Sequence, residues 1–430
     1  MAGGGSVGSG PLSFVRTYTA VDASDPRATA AARVGLVRQW MAARPRELFA
    51  ELRQDQPIFL TPGFVLLSRH AEVAEVLACD EVFSNQAYDE RLQPLISGFM
   101  LGAEDGPAYE RESALLRLAL RRSDMPAIAA MAGEAASIAV ATARPSGHIE
   151  VVHGLLRPIL ARFVGEYIGV PGPGERAMLA WARLLAHAIL CDPDGDPRIQ
   201  DDALEASSEF RGYVDVLVHS RRSRLAVGGP PGDDALGRLL ALQAGGVKID
   251  DRKIRDLLIG VITAAVEPTI AVGTRAIREV VRRPEVLAMA RQAALTEDHA
   301  IVTAIVTEAL RFAPPLWTPI RVCTAPYTLA RGTPHETVVR PYTRILASTY
   351  SAGFDTARTP DADKFVVRRP PPQAPVFGLG PHTCAGRHIA LVLLRAALTA
   401  LLRGGAVRVS GEIGHVGPFP DLLPLEFLSA

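Results

Sequence analysis

The segment Phe377-Gly378-Leu379-Gly380-Pro381-His382-Thr383-Cys384-Ala385-Gly386 carries most of the information about the fold. It places one cysteine between glycines, immediately before a run of helical apolar spacing over 387–403. Glycines let the backbone turn tightly and approach a flat ligand, and the start of a helix directs N–H groups and a positive dipole end toward the sulfur. Both effects favour the thiolate, the form of cysteine that binds metal. Cys384 is therefore predicted to be a metal ligand, with a buried free cysteine in a turn as the alternative.

Outward from this segment, apolar residues recur at helical spacing through most of the chain. The predicted helices cover 45–54, 70–79, 107–122, 127–142, 154–168, 175–190, 202–226, 251–282, 284–294, 297–312 and 387–403. Short strand-like runs, most of them bounded by Gly or Pro, predict strands at 57–61, 64–68, 337–341, 344–348 and 406–410. We expect a mainly α fold with small β-sheets. Residues 13–430 are predicted to form one domain, preceded by a disordered tail over residues 1–12.

The composition argues against several classes of function. The 430 residues include 46 basic and 46 acidic side chains without a long block of one sign, so neither nucleic acid nor an anionic membrane is an expected partner. Hydrophobic residues make up 48% of the chain, but no uninterrupted run approaches the roughly 20 apolar residues of a membrane span. The four cysteines lie far apart with no CxxC pair, which argues against disulfides and zinc. We expect a cytoplasmic monomer that acts on a small molecule.

The cysteine segment resembles the haem-ligand signature of the cytochrome P450 family. That signature has a Phe, two spaced glycines, a His or Arg two residues before the Cys and a Gly two residues after it, and this chain matches each position. The resemblance implies the cytochrome P450 fold, with haem between a long central helix and the helix after the cysteine loop. It implies that Cys384 ligates the iron of haem b and that Phe377, Gly378 and Gly386 surround the cofactor. His382 would contact a haem propionate, with a solvated loop histidine as the alternative.

A second match to the family lies earlier in the chain. Glu308 and Arg311 are three residues apart on a predicted helix, so they share one face and can pair. Such pairs are common, but here Phe312-Ala313-Pro314-Pro315 follows, as it does in the family. The segment 363–368 resembles the family's later meander, which implies that Arg368 is the third member of a buried structural triad. We expect this triad to fix the cysteine loop.

Further haem contacts are implied by the same resemblance. Arg321 matches the family arginine that pairs with a haem propionate. The run Asp105-Gly106-Pro107-Ala108-Tyr109-Glu110-Arg111 resembles the start of the helix that crosses the other haem face. Tyr109 and Arg111 are therefore expected near the cofactor, although Tyr109 stands where the family often has His. Solvent-facing side chains are the alternative for both residues.

The predicted central helix departs from the family at the residue that helps to deliver protons. Ala264 and Ala265 begin the match to an Ala-Gly-x-acid-Thr motif and are expected to face the haem, and Glu267 is the acid. Pro268 stands where the family has threonine; it lacks an N–H group and clashes with the Ala264 carbonyl, which predicts a kink. Thr269 is displaced about 100 degrees around the helix. Protons would come from Thr269 or water, with Pro268 only enforcing the distortion, or from Glu267.

This departure leaves the oxidant open. The peroxide-using branch of the family has an Arg-Pro pair where this chain has Glu267-Pro268, and an acid at that point is expected to disfavour an anionic substrate. The leading expectation is a dioxygen-dependent monooxygenase that hydroxylates or epoxidises an apolar secondary metabolite or lipid. Its electrons would come from a separate ferredoxin or flavodoxin with its reductase. The alternatives are a peroxygenase, a hydroperoxide isomerase or dehydratase, and a non-catalytic haem sensor.

The substrate pocket is expected to be lined by a loop over 85–104, by the central helix and by residues 316–320. Leu316 and Trp317 belong to this last segment. Trp317 would either cap the pocket or pack in the core.

Overall fold

Helices dominate the computed structural model, which describes residues 13–22, 25–314, 318–369 and 374–428. The helices are α1 (Phe14–Thr19), α2 (Pro26–Ala43), α3 (Pro45–Asp55), α4 (His70–Ala78), α5 (Gln86–Ile96), α6 (Pro107–Ala119), α7 (Met125–Ala143), α8 (Arg157–Arg162), α9 (Glu175–Ala186), α10 (Pro197–Ala226), α11 (Ala235–Ala244), α12 (Asp251–Val281), α13 (Pro284–Leu295), α14 (His299–Phe312), α15 (Thr349–Ala352) and α16 (Arg387–Gly404). Three π-helical segments adjoin α8 and α9, and they are Val152–Leu156, Phe163–Ile168 and His187–Cys191.

The strands are short. They are β1 (Ile58–Leu60), β2 (Val65–Leu67), β3 (Phe83–Ser84), β4 (His148–Glu150), β5 (Ile320–Cys323), β6 (Tyr327–Leu329), β7 (Thr337–Val339), β8 (Arg344–Ala347), β9 (Val407–Val409), β10 (Gly414–Val416), β11 (Phe419–Leu422) and β12 (Pro424–Phe427). Each helix and strand predicted from the sequence has a counterpart among these elements. The expected loop over 85–104 is wrong in its first half, because α5 forms there despite Pro94.

The described residues divide into two compact units, one from Met1–Ser84 with Thr318–Asp363 and the other from Asn85–Trp317 with Lys364–Ala430. In the first unit, a five-stranded sheet has the order β1-β2-β8-β5-β3, with β2 and β8 parallel and the other pairs antiparallel. Strands β6 and β7 form a separate antiparallel pair. Helices α3, α4 and α15 pack together in this unit. The prediction of a single domain stays a prediction.

The second unit is built around α12. This helix begins at the cap residue Asp250, whose side chain accepts a hydrogen bond from the Lys253 backbone N–H. It packs against α9, α10, α14 and α16. The contact with α16 is close at Gly273, where an added Cβ atom would lie 2.5 Å from a methyl carbon of Leu394. Because α16 follows the cysteine loop directly, this contact joins the loop to the central helix.

Two small sheets complete the second unit. Strands β4, β12 and β9 form an antiparallel sheet with β12 in the middle, and β10 pairs with β11 in a hairpin. Strand β11 contacts α12, so its side chains reach the central helix from a distant part of the chain. This contact brings β11 into the polar cluster described below.

Two helical stretches are long and apolar enough to cross a membrane by the criteria of length and composition. One is Pro107–Ser146, and the other is α12. In the most apolar window of α12, 72% of the residues are buried inside the protein, as expected of a core helix. These stretches are weak evidence for membrane insertion.

Candidate functional site

The cysteine loop is organised by backbone hydrogen bonds. The Cys384 N–H donates to the Phe377 carbonyl over 2.9 Å, and the Thr383 N–H donates to the Gly380 carbonyl over 3.1 Å. Gly378 and Gly380 have φ of 81° and 71°, the left-handed region that strains other residues. The predicted need for glycine at Gly378 therefore has a physical reason, since the loop turns back on itself there.

The Cys384 sulfur lies at the start of α16. Burial raises the pKa of its thiol, while the backbone N–H groups of Gly386 and Arg387 and the charge of Arg387 act in the opposite direction. Cys384 is nevertheless exposed. Cys384 is thus close to many protein atoms and still accessible, and the N–H groups directed at its sulfur favour the thiolate form.

Two residues outside the cysteine loop, Tyr109 and Asn85, contact its residues Pro381 and His382. The Tyr109 hydroxyl donates to the Pro381 carbonyl over 2.9 Å, and its ring lies 4.5 Å from the His382 ring, centroid to centroid. The Asn85 side-chain nitrogen lies 2.9 Å from His382 Nε2. Tyr109 and Asn85 therefore position the loop. Contacts of His382 and Tyr109 with a cofactor stay predictions.

Glu308 and Arg311 form the predicted pair, but the third member of the triad differs from the prediction. Arg311 Nη2 lies 2.7 Å from Glu308 Oε1, and Arg369 Nε lies 2.9 and 3.1 Å from the two Glu308 carboxylate oxygens. The assignment of Arg368 is wrong: it has φ of 62° and an exposed side chain. The left-handed backbone at Arg368 turns the next side chain inward, so Arg369 takes the place.

The triad also holds the segment that leads into the cysteine loop. The backbone N–H of Val366 donates to Glu308 Oε1 over 2.9 Å. The Lys364 carbonyl accepts hydrogen bonds from both Arg311 and Arg369, at 2.9 and 2.8 Å. The carboxylate is 5% exposed at its side chain, so these charge-assisted bonds are strong and their loss is costly.

Two predicted residues have less definite settings. Arg111 is exposed on α6, and Arg321 is buried on β5 with its Nη1 donating to the Ile320 carbonyl. Their roles at a cofactor stay predictions. Leu316 and Trp317 lie outside the described residues.

One stripe of α12 remains accessible in an otherwise buried stretch. From Ile254 to Ile277 every residue is buried except for six, all on one side of the helix. We call these six the open stripe: Val261, Ala264, Ala265, Pro268, Val272 and Arg275. The predicted residues Ala264 and Ala265 belong to it, and Ala264 is its most exposed member. Small apolar side chains at this point leave room for a flat apolar group.

Glu267 points away from the open stripe and into a charged cluster. Its side chain is fully buried, and neither carboxylate oxygen has a hydrogen-bond partner among the described residues. Arg157 Nη2 lies 3.8 Å from Glu267 Oε1 and 3.5 Å from Asp421 Oδ1, and Arg183 Nη1 lies 2.6 Å from the same Asp421 oxygen. Burial raises the pKa of Glu267, while Arg183 and Arg157 act in the opposite direction.

This setting removes the basis for the expected repulsion of anionic substrates. Glu267 offers no accessible surface, and burial raises its pKa. Thr269 is buried as well, about 140 degrees around the helix from Ala264. Of Glu267, Pro268 and Thr269, Pro268 alone belongs to the open stripe. Helix α12 continues without interruption through Pro268.

The sequence did not point to several residues of this site. Arg157, Arg183 and Asp421 reach Glu267 from three elements that are distant from it along the chain. Asn85 lies at the start of a helix that was expected to be a loop. Only Arg369 left a signal, since it adjoins the predicted Arg368.

A cysteine at the start of a helix, with N–H groups directed at its sulfur, and a central helix with an open apolar stripe are features that a haem-thiolate protein requires. The family model for cytochrome P450 matches residues 196–410, which is half of the chain. The chain belongs to the cytochrome P450 family, and it is a monooxygenase of that family.

Curated relatives are similar over most of their length. Mycinamicin IV hydroxylase/epoxidase of Micromonospora griseorubida is 26% identical over 370 residues, which cover 83% of this chain and 86% of the relative. Cyclomarin C epoxidase CymV of Salinispora arenicola is 24% identical over 373 residues, which cover 84% and 89%.

Solved structures share the fold. P450BioI, crystallised with acyl carrier protein ligated to hexadec-9Z-enoic acid, matches with a TM-score of 0.77 at 19% identity, over 90% of this chain and all of that chain. CYP109Q5 from Chondromyces apiculatus matches with a TM-score of 0.76 at 22% identity, over 91% and 97%. The predicted cytochrome P450 fold is confirmed.

Haem b is the cofactor of this family, and the residues present fit it. Cys384 offers an accessible sulfur with two N–H groups aimed at it, and Ala264 and its neighbours offer an accessible apolar surface. Among the described residues no group of three His, Cys, Asp or Glu side chains could hold a metal ion by itself. A single thiolate is the donor set that haem iron requires from a protein of this family.

Proposed function

We propose that this protein is a dioxygen-dependent monooxygenase of the cytoplasm that hydroxylates or epoxidises an apolar small molecule, a secondary metabolite or a lipid. Glu267 takes over the proton delivery that the family assigns to threonine. The observation that carries the proposal is the position of Glu267. This buried carboxyl group has no hydrogen bond to any residue that the structure describes, adjoins Pro268 and contacts a charged path to the surface.

The path runs along ion-paired side chains. Because a guanidinium does not release a proton, Arg157 orients the two carboxyl groups, and water molecules carry the proton between them. Arg157 lies between the carboxyl groups of Glu267 and Asp421, and Asp421 Oδ2 lies 3.4 Å from His153 Nε2. The His153 side chain is 51% exposed, so this end of the path is open to solvent. Glu267, with its raised pKa, can therefore hold a proton inside the protein and regain one from the surface.

Pro268 provides the acceptor for the next step. Because it has no N–H group, the Ala264 carbonyl does not receive its usual helical hydrogen bond. That carbonyl can bind a water molecule on the open stripe, and the water can pass the Glu267 proton to the accessible side of the helix. Thr269 is buried too, and the Thr269→Val variant below tests whether it takes part.

The haem supplies the oxidising chemistry when bound, and the thiolate of Cys384 donates the electron density that favours cleavage of the O–O bond. Electrons would come from a separate ferredoxin or flavodoxin with its reductase. Arginines near the cysteine loop support docking of an acidic carrier: Arg387 adjoins the Cys384 sulfur, Arg122 lies near His388, and Arg121 is exposed.

The substrate class rests on the relatives. The names of two of them describe hydroxylation or epoxidation of mycinamicin IV and epoxidation of cyclomarin C. The apolar residues of the open stripe suit an apolar substrate. The peroxide-using alternative is weaker, because its branch of the family has arginine where this chain has Glu267.

The test compares two sources of oxidising equivalents. Purified holoenzyme is incubated with a host metabolite extract, either with dioxygen, NADPH, a surrogate ferredoxin and its reductase, or anaerobically with peroxide, and products are followed by mass spectrometry. Glu267→Gln should slow the dioxygen-driven reaction by about a hundredfold, the usual contribution of a general acid. Thr269→Val is the matched control on the same helix and should leave the rate little changed.

Each outcome has a definite meaning. Oxygenated products in the dioxygen arm that depend on Glu267 and not on Thr269 support the proposal. Products in the peroxide arm alone identify a peroxygenase or hydroperoxide-converting enzyme instead. Dioxygen-driven turnover that is lost in Thr269→Val and retained in Glu267→Gln would contradict the proton path.

A further inference from the structure

The open stripe of α12 ends at a cation. Five of its six members are the apolar residues Val261, Ala264, Ala265, Pro268 and Val272. The sixth, Arg275, is the charged member, and it lies about 20 degrees around the helix from Ala264 and roughly 16 Å along the helix axis. Arg275 therefore faces the same side of α12 as the surface that suits the haem, two to three turns of helix farther along.

Arg275 lacks the counter-ion that other arginines of this unit have. Arg238 pairs with Asp124, Arg255 with Asp256, and Arg311 with Glu308. Arg275 donates from Nη1 to the Pro314 carbonyl over 3.3 Å, and in the described part of the chain it has no carboxylate partner. The residues that the structure does not describe include no Asp or Glu.

The groups around Arg275 do not neutralise it. Burial lowers the pKa of Arg275 to about 10, and the Cys191 thiol is the ionisable group that most opposes this shift. Burial raises the pKa of Cys191 to about 12, so this thiol is uncharged at neutral pH. His415 is also near, and its pKa is lowered by burial and by the charge of Arg275. A desolvated guanidinium thus remains charged between two neutral side chains.

A buried cation without a counter-ion is unfavourable for stability, and its surroundings favour an anion that arrives from outside. A planar guanidinium with free donors binds a carboxylate through two parallel hydrogen bonds. We infer that Arg275 anchors the substrate of this enzyme, by binding the carboxylate of a long apolar acid whose chain lies along the open stripe toward Ala264. The distance of roughly 16 Å suits an extended chain of roughly a dozen carbon atoms.

This inference deepens the proposed function and rests on it for the place of the cofactor. It agrees with the setting of Glu267, which offers no accessible negative surface to repel an acid. It also assigns a task to the segment that includes Cys191, a π-helical turn next to Arg275, since such turns are frequent at functional sites.

The test measures binding rather than turnover, so that it stands apart from the test of the oxidant. Holoenzyme is titrated by calorimetry with dodecanoate and with dodecanol, which share a chain and differ in the charged group. The wild-type enzyme should bind dodecanoate more tightly than dodecanol. Arg275→Gln should weaken dodecanoate binding by about ten- to a hundredfold and leave dodecanol binding unchanged, because it removes one charge-assisted interaction. Arg275→Lys should retain part of the preference.

Arg278→Gln is the matched control. It removes an arginine one turn farther along α12, where Nη2 pairs with the exposed Glu412 over 2.6 Å. This variant should bind both ligands as wild type does. A second measurement separates binding from folding: Arg275→Gln should unfold at a temperature no lower than wild type without ligand, since no carboxylate is left unpaired.

Several results would overturn the inference. They are a wild type that does not bind dodecanoate or binds it no better than dodecanol, equal losses for both ligands in Arg275→Gln, and a dodecanoate affinity that this change leaves intact. A marked fall in unfolding temperature with unchanged binding would show that Arg275 is structural. None of these results bears on whether dioxygen or peroxide is the oxidant.

Discussion

The cysteine loop and the central helix belong to the same unit, but they depend on the chain in different ways. The loop is set by backbone hydrogen bonds over a few residues, such as Cys384 to Phe377, and follows the family pattern closely. The central helix departs from that pattern at Pro268, and its acid Glu267 is surrounded by residues from distant elements. The part that we propose to hold the metal is therefore local in sequence, and the part that we propose to handle protons and substrate is not.

The strongest test of this comparison removes the ligand. Cys384→Ala should abolish the red-shifted band of the ferrous carbon monoxide complex completely, because the thiolate is supplied by this residue alone. Cys191→Ala removes a cysteine outside the loop, and this variant should retain the band. A Cys384→Ala protein that keeps the thiolate-type band would show that the loop is not the ligand site.

The next test asks whether Arg369, rather than its neighbour Arg368, completes the triad that holds the segment leading into the cysteine loop. Arg369→Ala removes one of the two cations on a buried carboxylate, which should cost about 3 to 5 kcal/mol of unfolding free energy and weaken haem retention. Arg368→Ala changes an exposed neighbour and should stay within about 0.5 kcal/mol of wild type. Denaturant unfolding and the haem content of the purified variants measure both effects. Equal costs, or a larger cost at Arg368, would contradict the observed triad.

Arg368 and Arg369 also illustrate what the sequence could and could not predict. The tight turn of the cysteine loop, the Glu308–Arg311 pair and the long helices follow from local sequence, because helical neighbours and tight turns are local properties, while the role of Cys384 as ligand stays a prediction. The choice between Arg368 and Arg369 depends on one left-handed backbone angle, which a linear pattern does not contain. Strands of two to four residues, such as β3 and β6, are too short to show an alternation. The partners of Glu267 required the tertiary fold.

The smallest expected effect addresses the proton-handling region through pH. Burial raises the pKa of Glu267 above its ordinary value of 4.5, so between those two values the folded protein holds a proton that the unfolded chain has lost. The stability contributed by this group is fully present below pH 4.5 and is lost as the pH rises through the raised pKa. Within that window, wild type should lose up to about 1.4 kcal/mol per pH unit relative to Glu267→Gln, which cannot ionise.

The measurement is the difference in unfolding free energy between wild type and Glu267→Gln at a series of pH values, with Glu412→Gln as a solvent-exposed control. Taking the difference removes the titration of every other group that the two proteins share. A difference that is flat, or that favours wild type as the pH rises, would mean that Glu267 is already ionised in the folded protein at low pH. In that case Arg157 and Arg183 outweigh burial, and Glu267 holds a permanent charge rather than a transferable proton. The central helix would then need another proton donor. Arg275 alone would then support the proposed difference in function between the central helix and the cysteine loop.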